Sequence, residues 1–184
     1  MNEVVSTGED RMKKTIASLK NDFATLRTGR ASAGLFDRIK VDAYGDKMAL
    51  KEVANISVPE ARLVVIQPFD KALIGDIEKA IQSSELSLNP SNDGKLIRIS
   101  IPPLTGERRD EIAKQAKAQG EAARVSVRNI RRDGNDELKK LLKDSTISED
   151  EESKTSEQLQ KITDSYIAQI NKLVEEKEKE IKEV

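Results

Sequence analysis

Neither cysteine nor histidine occurs among the 184 residues, tryptophan is absent, and aromatic residues make up only 3%. The missing cysteines exclude disulfides and thiolate metal sites and suit a reducing compartment. Without histidine the chain also lacks the most frequent general base and the most frequent metal ligand. With so few aromatics, a core must be assembled from Leu, Ile, Val and Ala, residues that interdigitate well between helices. No apolar run approaches the roughly 18 to 20 residues that cross a bilayer. Glu9, Asp10 and Arg11 stand where an export signal needs an apolar segment, so the sequence predicts a cytoplasmic protein with no membrane partner. What the chain does contain is charge. Lys plus Arg number 32 and Asp plus Glu 33, which leaves a formal net charge of −1 on a sequence that is 35% charged. Such composition suits long solvated helices.

Hydrophobic period divides the chain into three blocks. In the first, Met12, Ile16, Leu19, Phe23 and Leu26 recur at steps of four and three and predict a helix ending near Thr28-Gly29. The period then becomes two. Ile39, Val41 and Ala43 alternate with Lys40 and Asp42, and Tyr44-Gly45-Asp46 reads as a turn. Leu63 to Ile66 predicts a second strand after Pro59, and Asp70 is a candidate N-cap for a short helix carrying Leu73, Ile74, Ile77, Ala80 and Ile81. The stretch Leu88 to Gly94 reads as a loop, and Leu96 to Ile101 alternates once more. This middle block is a small α/β unit. Pro102-Pro103 ends it, because neither residue can donate to a ladder.

From Thr105, an expected N-cap, to about Lys143 there is no proline, and Ile112, Ala116, Ala123, Val127, Ile130, Leu138 and Leu141 keep a helical stripe. Ser148 and Glu151 form a capping box for a last helix with Leu159, Ile162, Tyr166, Ile170, Leu173 and Val174 on one side. Three amphipathic helices this polar are stable only against one another. The fold class expected is therefore α+β, a long antiparallel three-helix bundle with a small β/α/β domain inserted after the first helix. Residues 1–29 and 105–184 make the bundle and 30–104 the insert. The connections at 29–33 and 101–105 read as a two-strand hinge formed by Gly29, Arg30, Ala31, Ser32, Ile101, Pro102, Pro103 and Leu104, since paired short connections let one body turn on another.

Charge on the long middle helix is uneven. Between Ala122 and Arg132 stand Arg124, Arg128, Arg131 and Arg132 with no acid, and Lys117 shares their side of the helix. At ~100° per residue the five span an arc of about 100°, more than a right angle from the apolar stripe. Glu107 to Lys143 holds eleven basic and seven acidic residues, whereas Ser148 to Val184 holds six and eleven. A guanidinium row on a stiff rod fits phosphate, because its planar fork matches phosphate oxygens. The competing reading is a solvated face paired with acids of the last helix. Against it stands the absence of an acid four residues before or after Arg124, Arg128 and Arg131.

Catalytic signatures are poor. The glycines at 29, 34 and 94 lack phosphate-loop spacing, and the acidic run Ser148 to Glu152 lacks the ligand spacing of a calcium loop. The expectation is a protein that is not an enzyme and has no metal, cofactor or small-molecule substrate.

Eight segments, in order, also carry a resemblance. They are Arg27 to Ser32, Val58 to Arg62, Ile77 to Ile81, Leu88 to Pro90, Ile97 to Ile99, Ile101 to Thr105, Glu107 to Arg109 and Val125 to Asp133. Together, over nearly the whole chain, they resemble bacterial ribosome recycling factors. The resemblance implies an L-shaped molecule of a helical bundle and a small domain on a two-strand hinge. It also implies a monomer that binds ribosomal RNA of the large subunit and, with elongation factor G and GTP, splits the ribosome after termination, freeing messenger and transfer RNA. The family's RNA-contacting arginines correspond to Arg128, Arg131 and Arg132, with Arg124 one turn earlier. A helical adaptor or chaperone-like protein is the alternative. Ala33 stands where the family commonly has Pro and Gly106 where it has Glu. Gly134 takes an Ala position and Gly120 interrupts the same helix, each interior glycine costing about 1 kcal/mol relative to Ala.

Overall fold

The computed structural model describes residues 2–183. It divides into two compact units, one formed by the chain up to Phe23 with Ala113–Glu180, the other by Ala24–Ile112 with the chain from Ile181 onward.

The first unit is built from α1 (Asn2–Thr25), α4 (Gly106–Lys143) and α5 (Glu149–Lys182). Helix α1 stops at Thr25, three residues short of the expected Thr28, although Leu26 continues the apolar period and is buried. Gly29 then takes φ +82°, a left-handed conformation that glycine adopts without a Cβ penalty. Met12, Ile16, Leu19 and Phe23 of α1 are buried, as are Ala116, Ala123, Val127, Ile130 and Leu138 of α4 and Leu159, Tyr166, Ile170 and Val174 of α5. The sides of the helices record their directions. Lys117 reaches Glu178, Arg124 reaches Asn171 and Asn135 accepts from Ser156, so α4 and α5 run antiparallel. Arg11 pairs with Asp133 and Thr15 meets Ser126, so α1 is antiparallel to α4 as well. Both expected caps are present. The Arg108 amide donates to Thr105 Oγ1 at 3.2 Å, and Ser148 and Glu151 exchange bonds of 2.9 and 3.2 Å at the start of α5.

Two glycines of α4 prove to be packing residues. A Cβ at Gly120 would come to 2.4 Å from Val174 Cγ2, and one at Gly134 to 2.6 Å from Leu159 Cδ2. The sequence-based cost of these glycines is therefore offset by the close approach of α4 to α5 that a side chain would prevent. Thr155 and Thr163 are buried polar residues on α5, and Thr163 satisfies its hydroxyl on the Leu159 carbonyl at 2.7 Å.

The second unit is richer in strands than its sequence suggests. A hairpin pairs β1 (Lys40–Ala43) with β2 (Asp46–Ala49), and a short α2 (Leu50–Val53) leads into a four-stranded antiparallel sheet. That sheet, in the order β3-β4-β6-β5, contains β3 (Ala54–Glu60), β4 (Leu63–Pro68), β6 (Ile97–Ser100) and β5 (Pro90–Asn92). Pro59 lies inside β3 and not before a strand. It is tolerated there because β3 is an edge whose register breaks between Ser57 and Glu60. Asp70 Oδ1 accepts from the Ala72 amide at 2.9 Å and caps a 3₁₀ turn, Lys71–Leu73, that precedes α3 (Ile74–Gln82). Ile77 and Ile81 of α3 are fully buried with Val41, Val64, Ile66, Ile97 and Ile99 in one core. The alternation read in Ile97, Ile99 and Ile101 is the inward face of β6 and its continuation.

Candidate nucleic-acid interface

All five predicted cations lie on α4 within the first unit. Their side chains are held by a few polar groups. Arg124 Nε donates to Glu121 Oε2 at 2.9 Å and its Nη1 to Asn171 Oδ1 at 2.7 Å. Arg128 Nη1 donates to Glu121 Oε1 at 3.3 Å, and Arg131 Nη1 to Gln160 Oε1 at 2.8 Å. Lys117 Nζ lies 3.6 Å from Glu178 Oε1. Arg132 is exposed and, among the described residues, has no carboxylate partner.

The expectation that these arginines lack an acid therefore needs correction. Glu121 stands one residue outside the stretch that was counted, three before Arg124 and seven before Arg128, so both guanidinium groups fork onto a single carboxylate. Arg124, with Arg128 assisting, holds that carboxyl below the usual carboxylate range. The correction leaves the row cationic. Among the five cations, only Lys117, Arg124 and Arg128 have carboxylate partners, Glu178 and Glu121, and two acids cannot neutralise five bases. The partners that α5 offers the arginines are amides, Asn171 and Gln160, which orient a guanidinium without cancelling its charge. Gln160 in turn donates to Asp164 at 2.8 Å, which fixes the amide that Arg131 leans on. Arg124 is the most sheltered, its side chain 20% exposed, whereas Arg128 is 46% exposed and free to exchange Glu121 for another anion. Asn171, Gln160 and Glu121 escaped the sequence reading. Scanning three residues away as well as four would have found Glu121.

The residues read as a hinge sit in the second unit. The Ala31 amide donates to the Ala61 carbonyl at 2.7 Å, and the Ile101 amide to the neighbouring Arg62 carbonyl at 2.8 Å. Ser32 Oγ accepts from Gly34 N at 3.2 Å and caps a 3₁₀ turn, Ala33–Phe36. Ile101 is buried, Leu104 half-buried, and Arg30, Pro102 and Pro103 are exposed. Both entering and leaving strands thus touch the β3–β4 turn, within the segment Val58 to Arg62. Among the described residues no cluster of acidic side chains fits a metal ion, and no helix is long and apolar enough to cross a membrane.

A stiff helix that displays an undercompensated row of guanidinium groups, on a chain that also carries a small sheet unit, defines a polyanion-binding α+β protein whose working surface is a helix face. Comparison with known proteins makes the class specific. The sequence pattern of the ribosome recycling factor family matches residues 19–181. The ribosome-recycling factor of Treponema denticola is 60% identical over 181 residues, 98% of each chain, and that of Halalkalibacterium halodurans 55% over 182 residues, 99% of this chain and 98% of the other. A solution structure of the ribosome recycling factor superposes with TM-score 0.82 at 46% identity, covering 100% of this chain and 97% of that one. A second match, TM-score 0.70 at 42% identity over 98% and 97%, comes from models of the T. thermophilus factor and E. coli elongation factor G bound to the E. coli post-termination complex. This chain belongs to the ribosome recycling factor family. Its members are translation factors, not enzymes.

Proposed function

We propose that this chain binds the large ribosomal subunit of the post-termination complex in the cytoplasm and, with elongation factor G and GTP, promotes separation of the subunits and release of messenger and transfer RNA. It acts as a monomer, and the GTP is hydrolysed by its partner. The family membership supports this reading of the activity, and the cationic face of α4 supports a docking surface for ribosomal RNA. Arg124, Arg128, Arg131 and Arg132, with Lys117, are the residues assigned to phosphate contact. Arg131 carries the reading furthest, because its only recorded partner is a neutral amide.

In the same reading the bundle (residues 1–29 and 105–184) is the part that holds the ribosome, and the insert (30–104) is the part that elongation factor G displaces. Rotation is taken up at 29–33 and 101–105. The two backbone bonds from Ala31 and Ile101 to the β3–β4 turn then set how far those strands move with the sheet. The test is subunit dissociation followed by light scattering. Purified post-termination ribosomes should dissociate when this chain, elongation factor G and GTP are all present, and not when any one is omitted. Undiminished scattering with all three present would refute the proposal.

A further inference from the structure

Beside the arginine row, α4 shares an open channel with α1. Two hollows of about 540 and 400 Å³ have Lys14, Thr15, Ala122 and Ser126 in common and so form one continuous groove. It is open because α4 turns small residues, Ala122 and Ser126, toward α1 at this level, and no side chain there is long enough to close the gap. Its floor is polar. Thr15 Oγ1 and Ser126 Oγ meet at 3.4 Å, and Asn129 lines the wall beside them.

The rims are basic on both sides. Arg11 and Lys14 rise from α1. On α4, Val125 is 45% exposed at the outer edge of the groove, and Arg132, two turns on, lies only ~20° from it around the helix. Arg128, flanking Val125 by one turn less, completes that rim. Arg11 spans the groove's end to Asp133 at 2.9 Å, through side chains 49% and 55% exposed. A pair so open to water is worth about 0–1 kcal/mol, so a phosphate can take the guanidinium over at little cost.

We infer that this groove seats a strand of RNA backbone, its phosphates flanked by Lys14 and Arg11 on α1 and by Arg128 and Arg132 on α4. The inference rests on the reading that α4 faces RNA and adds a second helix to that face. Thr15, Ser126 and Asn129 supply the neutral hydroxyl and amide donors that commonly accompany lysine and arginine at phosphates. An acidic protein helix is the poorer occupant, because helix docking relies on several apolar anchors and Val125 is the one large apolar side chain exposed here.

The experiment is salt-dependent binding of the full chain to purified large subunits. Lys14→Ala should weaken binding roughly three- to tenfold and lower the slope of log affinity against log salt by about 0.7–0.9, the signature of one lost phosphate contact. Lys13→Ala, the same charge change ~100° away around α1, should leave the slope alone. Ala122→Leu, which fills the groove without altering charge, should also weaken binding while circular dichroism stays native. Equal effects from Lys13→Ala and Lys14→Ala would overturn the inference, since binding would then feel only net charge. A loss with Arg131→Ala but none with Lys14→Ala and Ala122→Leu would overturn the groove and leave the α4 reading standing. No loss with any of these variants would overturn the α4 reading itself. If Lys14→Ala weakened binding to elongation factor G and not to the subunit, the occupant would be a protein and the inference would fail.

Discussion

Replacing Gly120 by alanine opposes two effects whose sizes can be compared. Alanine in a helix interior is favoured over glycine by about 1 kcal/mol. At Gly120, however, the new methyl would sit 2.4 Å from Val174 Cγ2, about 1 Å inside the 3.4 Å at which ordinary contact begins. Val174 is buried and β-branched, so on a helix it has one strongly preferred rotamer and cannot swing aside. The strain must then be relieved by moving α4 and α5 apart, and overpacking of this kind costs about 1–3 kcal/mol. The balance predicts a net destabilisation of about 1 kcal/mol. Gly106→Ala is the comparison, since a Cβ there meets nothing within 4 Å and should give a neutral to stabilising result. Urea unfolding reads both, as a shift in midpoint at constant m. The cycle with Val174→Ala isolates the clash. The double variant should be more stable than the sum of the two single losses by at least about 1 kcal/mol, because truncating Val174 removes the obstructing methyl. Strict additivity, or a Gly120→Ala protein as stabilised as Gly106→Ala, would refute the claim that this glycine exists for helix approach.

Further expectations follow from individual contacts. Glu121→Gln removes the carboxylate that Arg124 and Arg128 share, so large-subunit binding should tighten a few-fold at low salt, as titration of labelled chain would report. Ser148→Ala breaks the capping box of α5 and should cost about 1 kcal/mol in urea unfolding. Asp93 is held below its usual range chiefly by Arg98, and also by the Leu96 and Lys95 amides. With the folded pKa below the unfolded one, its contribution is present above about pH 4 and disappears as the pH falls through that value. Asp93→Asn should therefore be less stable than the native chain at neutral pH, and the gap should close on acidification. A gap independent of pH would exclude the charge as its origin.

The long helices were legible because their determinants are local. No proline interrupts Thr105 to Lys143, and the Ser148–Glu151 box announces α5 in four residues. The inward isoleucines of β6 were equally plain. Strands β2 and β5 were not, since Asp-Lys-Met-Ala and Pro-Ser-Asn have little intrinsic β preference and become strands only by pairing, Met48 with Val41 and Ser91 with Arg98. The end of α1 was misplaced for a related reason: Leu26 keeps the apolar period while its backbone has already left the helix. For the candidate site, spacing alone revealed the arginine row. The groups that hold it, Asn171 and Gln160, depend on the register between α4 and α5, and that register follows from the glycine contacts at 120 and 134, which no linear pattern displays.

The central claim is that the guanidinium row of α4 meets phosphates. It is tested most directly by the salt dependence of large-subunit binding for the native chain and a variant with Arg128→Ala, Arg131→Ala and Arg132→Ala together. The account predicts a native far-ultraviolet spectrum, much weaker binding, and a log–log slope reduced by about 2 to 3, near 0.7–0.9 for each arginine. A correctly folded triple variant that binds with the native affinity and the native slope would contradict it.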